Sequence, residues 1–304
     1  MFSTKYENWG ANCWVRNSEI QLGAAVGEGD LAFPPGLVPY SQRLKEEYGE
    51  GCQRAALTQC LYGYLRFTEE LELRSINQVG MQIALGETLV PVSRDLRNRA
   101  FLLVRDEAHH ATVSDEISVR IESLTGLAPM APVQPHFLRV LGELQERVPV
   151  EVGSQLETAF ATISETLISG SLSQIPRDRE VLPLIRDYAG EHAADEGRHQ
   201  QYFGEFFGEW WPQLPGRVRQ GLGVLLPDLC LAFLGADRQL HQRVLESCGL
   251  ASDNAAKWVA EAFPESAEGP TARKPLQATL RLFERSGVYT DPAAYDAFAA
   301  RGLI

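Results

Sequence analysis

The chain has 304 residues, 44% of them hydrophobic and 22% charged, which is enough apolar material to bury a sizeable core in one large or two small domains. A net charge of −12, with no basic run interleaved with aromatics, argues against a nucleic-acid binder. Five scattered cysteines without a CxxC pair fit a reducing cytoplasm better than a disulfide framework.

Residues 1–40 are rich in glycine and proline, including Phe33-Pro34-Pro35-Gly36, and read as an arm or cap around the rest of the chain. They hold no continuous apolar run of the secretory kind. Trp9 and Trp14 are candidate anchors for that arm, with packing the ordinary role for such residues.

From about Leu44 to Leu89 the apolar spacing is helical, through Leu57, Leu61, Leu65, Leu73, Ile76 and Ile83, with Gly63 and Gly80 as points of bending or close packing. Glu69 falls between Leu65 and Leu73 on the ladder expected to face inward, with Glu70 and Glu72 as its competitors. Pro91 and Ser93 reset the chain. The next helix, about Arg94 to Glu122, carries Leu103, Glu107, His110, Ser114 and Ile117 at spacings of three and four.

A Pro-rich loop over Leu124 to Pro135 precedes a short apolar piece from His136 to Leu144. A helix from Glu151 to about Ile168 places Glu165 among short and apolar neighbours, and a buried carboxylate is costly unless it is paired or bound to metal. A long helix then runs from about Leu182 to Phe207, with Pro183 in its first turn and Trp210-Trp211-Pro212 closing it. Further helices follow near Val218–Phe233, Asp237–Glu246, Asp253–Ala262, Leu276–Gly287 and Ala293–Arg301. The apolar stretch Gly221–Gly235 is interrupted by Pro227 and Asp228 and is too short for a membrane span.

Two clusters carry the chemistry. His192, Glu196 and His199 stand at i, i+4 and i+7 on one face of the long helix, and Glu107 and His110 share a face of the earlier one. With the lone carboxylates Glu69 and Glu165, the order becomes E, ExxH, E, ExxH, as a dimetal four-helix bundle requires. The expected fold is therefore all-α, a ferritin-like four-helix bundle elaborated by additional N- and C-terminal helices, in one domain over residues 1–304. Imidazole with carboxylate suits iron, with manganese as the competing metal. Asp106 and Asp195, each just before a ligand glutamate, are placed to accept a hydrogen bond from a ligand histidine, and Arg198 to neutralise one of them. His109 points about 100° away from His110 and reads as structural.

The stretches Thr68-Glu69-Glu70-Leu71, Asp106-Glu107-Ala108-His109-His110, Glu165-Thr166 and His192-x-x-x-Glu196-x-x-His199 resemble the diiron arylamine N-oxygenase family, over about residues 55–210. The extra histidine, His192, is the discriminating feature. The resemblance implies Glu69, Glu107, Glu165 and Glu196 as carboxylate ligands and His110, His192 and His199 as imidazole ligands of two iron ions. It implies dioxygen and a primary amine as substrates, aryl or amino-acid-derived. It further implies a peroxo-diiron intermediate, a hydroxylamine, nitroso or nitro product, an external electron donor and a role in bacterial natural-product biosynthesis. Arg281 and Arg285 are candidate anion partners on a late helix, with surface residues as the plainer reading. A homodimer fits helical oxygenases that keep one bundle face for a partner. A diiron hydroxylase or desaturase acting on carbon, or an iron-handling bundle, stays open at this point.

Overall fold

The computed structural model describes residues 3–17, 30–168, 172, 174–264 and 272–304. Among these, no β-sheet is present; the one strand-like pairing is a parallel bridge between Leu31 and Val181. The N-terminal arm is partly helical, as α1 (Thr4–Asn12) and α2 (Trp14–Asn17). The rest of that arm between Asn17 and Asp30 lies outside the described residues.

After α3 (Ser41–Tyr48), the first bundle helix is α4 (Glu50–Leu71), which passes through a π-helical turn, Glu72–Ile76, into α5 (Asn77–Leu85). The apolar spacing reads as helical from about Leu44 to Leu89; the break at Gly49 and the π turn are what it missed. Gly86, at φ 74°, closes α5 in the left-handed region that glycine enters without steric cost. The second bundle helix, α6 (Arg94–Thr125), starts at Ser93, whose hydroxyl accepts the Leu96 amide, and stops at the left-handed Gly126.

Beyond α7 (His136–Arg147) and the single turn α8 (Val150–Gly153), α9 (Leu156–Leu167) supplies the third bundle helix. The fourth is α10 (Pro183–Gln213). It continues six residues past the expected end at Phe207, because Pro212 sits in its last turn and Trp210 and Trp211 are buried with the bundle rather than terminating it. Glycine and proline do break the following stretch, into α11 (Gly216–Gly223) and α12 (Leu226–Leu234), where one helix was expected. Among the described residues that follow are α13 (Arg238–Ser247), α14 (Ser252–Ala262), α15 (Gln277–Arg285) and α16 (Pro292–Ala300).

α4 and α5 pack along α6, α9 packs along α10, and α10 closes against α6. The π turn touches both α6 and α9. At Gly80 α5 comes so near α6 that an added Cβ would meet a Val104 methyl at 2.9 Å. α12 and α15 cover α9, and α13 covers α4. Below the bundle centre, the α10 aromatics Phe203, Phe206, Phe207 and Trp210 are fully buried, each stabilising the fold by about 1.5–3 kcal/mol or more. No single helix among the described residues is long and apolar enough to cross a membrane.

Candidate metal centre

Seven buried side chains from four elements meet in the bundle: Glu72, Glu107, His110, Glu165, His192, Glu196 and His199, none more than 1% exposed. Six of them, all but Glu165, form two overlapping groups. Glu72, His110, His192 and Glu196 make one, and Glu107, His110, Glu196 and His199 the other, with ligating atoms inside each lying within 4.8 Å of one another. His110 and Glu196 belong to both. Glu196 Oε1 stands 3.0 Å from His192 Nε2, 3.4 Å from His199 Nδ1 and 3.6 Å from His110 Nδ1. Glu107 Oε1 lies 2.6 Å from His199 Nδ1, and Glu165 Oε2 approaches the same nitrogen at 3.6 Å.

Six of the seven expected ligand residues are in this cluster, and Glu69 is not. Its carboxylate faces Arg66, with Oε2 3.0 Å from Nη1, and its side chain keeps 16% exposure. Glu72 occupies the place foreseen for it, with Oε1 3.1 Å from His192 Nε2 and 3.7 Å from His110 Nδ1. The physical reason is the true inward ladder of α4, which runs Leu57, Leu61, Leu65, Thr68, Glu72, all no more than 4% exposed. Leu73, taken as an inward marker, is 49% exposed. Reading Thr68 as a core position would have carried the ladder to Glu72. The π turn beginning there then restores Ile76, Val79 and Ile83 to the core.

The carboxylates behind the histidines are exchanged between helices. Asp195 of α10 holds His110 of α6, its Oδ2 3.1 Å from Nε2. Asp106 of α6 faces His199 of α10, Oδ2 to Nε2 at 3.7 Å. Each aspartate also carries an arginine, Arg198 on Asp195 and Arg105 on Asp106. His109 is half-buried outside the cluster, its ring 5.0 Å from that of Trp14. Tyr188 donates to or accepts from Ser114 at 2.7 Å, and the buried Tyr64 hydroxyl has no hydrogen-bond partner.

Burial raises the Glu72 carboxyl well above the ordinary carboxylate range, against the pull of His192. Burial does the same to Glu165, reinforced by the charges of Glu196 and Glu107. On Glu196 burial works in that direction too, but the charges of His199 and His192 hold it well below the usual range. His199 shows the converse: burial disfavours its charge, yet Glu107 and Glu196 hold it well above an ordinary imidazole.

These groups fit a pair of metal ions. Both carboxylate oxygens of Glu72, Glu107 and Glu196, one of Glu165, and cluster-facing ring nitrogens of all three histidines are buried without hydrogen-bond partners. Leaving so many polar atoms unsatisfied is prohibitive in a protein interior. Four carboxylates balance two divalent cations, and the nitrogen–oxygen donor set is one that iron accepts. No cysteine belongs to either group.

A cavity of about 620 Å³ runs along α4, walled by Phe33, Val38, Phe67, Arg66 and Glu69 among others. Gly63 and Leu65 of α4 are also in its wall, Leu65 lying two turns before Glu72 on the inward ladder. Arg281 and Arg285 are exposed and line a shallow groove between α10 and α15, outside the cluster.

Comparison with known proteins adds one match. The family model described as P-aminobenzoate N-oxygenase AurF matches residues 34–287, which takes in all seven clustered residues. A search of curated proteins found no match.

Proposed function

The chain belongs to the p-aminobenzoate N-oxygenase family and is a non-heme diiron oxygenase; on that premise we propose that it oxygenates the nitrogen of a primary amine, with Glu72, Glu107, His110, Glu165, His192, Glu196 and His199 holding the iron pair. The overall reaction of the first step balances as RNH2 + O2 + 2 e− + 2 H+ giving RNHOH + H2O, so an external reductant is a required partner. The single observation that carries the assignment is the set of buried ligating atoms without hydrogen-bond partners, all on elements inside the span that the family model matches.

When bound, the iron pair supplies the redox capacity for reducing dioxygen. The chain's own residues do the rest. His110 and Glu196, common to both groups, keep the two positions adjacent. Asp195 hydrogen-bonds the outer nitrogen of His110 and Asp106 faces that of His199 at 3.7 Å, so that the inner ring nitrogens are left toward the metal. Trp9, Trp14, Tyr188 and Tyr202 wall the site and keep bulk water away. Iron rather than manganese is the resident metal in this reading, and an aryl or alkyl amine the substrate. Five free cysteines support a cytoplasmic setting.

The test is anaerobic loading with ferrous iron, then exposure to isotopically labelled dioxygen with a panel of aryl and alkyl primary amines. Label on nitrogen, in a hydroxylamine, nitroso or nitro product, is expected. Label on carbon, or no oxygenated product from protein carrying about two irons per chain, would move the assignment to another oxidation.

A further inference from the structure

Residues 3–17 lie outside the span 34–287 that the family model matches, yet they reach both aspartates behind the histidines. The Trp9 indole N–H donates to Asp106 Oδ2 at 2.7 Å, the same oxygen that faces His199 Nε2. The Trp14 backbone amide lies 3.2 Å from each oxygen of Asp195, whose Oδ2 holds His110. The two rings follow: Trp9 stands 5.4 Å from the His199 ring and Trp14 5.7 Å from that of His110. Between them, buried Cys13 accepts from Arg105 Nη2 at 2.8 Å, and Lys5 pairs with Glu205 of α10.

We propose that this N-terminal segment is a positioning element of the metal centre, acting through Trp9 on Asp106 and through Trp14 on Asp195 to hold the His199 and His110 rings in their metal-binding orientation. A histidine anchored only by its metal-side nitrogen keeps rotational freedom; a carboxylate on the other nitrogen removes it, provided the carboxylate is itself held. The arginines hold these aspartates from side chains that are 28% and 27% exposed and have many rotamers. The indole of Trp9 has two torsions and is 4% exposed, so it is the stiffer anchor. The segment also roofs Asp106 and Asp195, both fully buried, and so keeps water from competing for their hydrogen bonds.

The inference rests on the diiron reading, and the experiment separates the two. Ferrous protein is mixed anaerobically with bipyridine, and the rate of iron loss is followed for wild type, Trp9→Phe, a variant lacking residues 1–17, and Trp258→Phe, whose ring packs on Tyr48 and Arg43. Trp9→Phe keeps a buried ring and removes the N–H. Loss from it is expected to be roughly ten-fold faster or more, the scale of outer hydrogen bonds to metal-bound histidine. Its metal-free melting temperature should stay at the wild-type value, Trp258→Phe should match wild type in release, and the truncated chain should lose iron fastest. Wild-type release rates in Trp9→Phe, or faster release that merely tracks a lowered metal-free melting temperature, would overturn the proposal while leaving the diiron reading intact. A wild-type chain that takes up no iron would sink both.

Discussion

Glu72 Oε1 lies 3.1 Å from His192 Nε2, joining the π turn of the first bundle helix to the histidine one turn before Glu196. Three residues earlier on the same helix, Glu69 is engaged with Arg66 at the wall of a different cavity.

That contrast makes a paired substitution informative. Glu72→Gln is expected to lower bound iron from about two per chain to about one, whereas Glu69→Gln keeps the wild-type content. The metal-free Glu72→Gln protein should be at least as stable as wild type, because burial makes ionisation of the Glu72 carboxyl costly and a neutral amide of similar shape carries no such cost. Iron quantitation after gel filtration, with thermal melts of the metal-free forms, checks both halves.

The raised Glu72 and Glu165 carboxyls and the raised His199 imply protons that must leave when metal enters. Titration of the metal-free protein with manganous ion near pH 7, in two buffers of different ionisation heat, should show release of roughly three protons per chain, one from each of these groups. No buffer dependence of the measured heat would contradict the protonated state assigned to these groups.

The same shifts set a pH trend. His199 is raised, so its contribution is fully present below the ordinary histidine value of 6.5 and is lost as pH rises through its folded value. Raised carboxyls penalise the fold increasingly as pH climbs above about 4.3, where the unfolded chain has already released its protons. Glu196, being lowered, acts the other way, and its contribution is lost only in acid. Metal-free protein should therefore melt at lower temperature as pH is raised above about 6.5, while the metal-loaded form stays flatter over that range. Equal slopes for the two forms in differential scanning fluorimetry would count against it.

Two helical glycines should respond oppositely. At Gly80 a side chain meets Val104 and Leu103 across the α5–α6 contact, so Gly80→Leu is expected to cost about 1–3 kcal/mol in urea unfolding. Gly204 on α10 has nothing within 4 Å of an added Cβ, and Gly204→Ala should stabilise by about 0.5–1 kcal/mol.

Much of this centre is legible in the chain because helical spacing alone brings His192, Glu196 and His199 onto one face, and Glu107 and His110 onto another. Glu165 announces itself by the short neighbours of α9. The first carboxylate is the hard one: Thr68 is polar but buried, Leu73 is apolar but half exposed, and a π turn has no apolar period of its own. The exchange of Asp106 and Asp195 between helices is a matter of how α6 and α10 face each other, which neither helix encodes by itself. The bond from Trp9 to Asp106 spans 97 residues and likewise has no local signature.

His110 and Glu196 are each counted in both groups, and this has a bearing on how the centre fills. His110 offers one cluster-facing nitrogen and so would serve one seat, whereas Glu196, with two oxygens, would serve both; the seat taken first would fix that carboxylate for its neighbour, and completing the second would cost less. Supplied with too little iron, a population of these chains would then sort into full and vacant molecules, with few carrying a single ion.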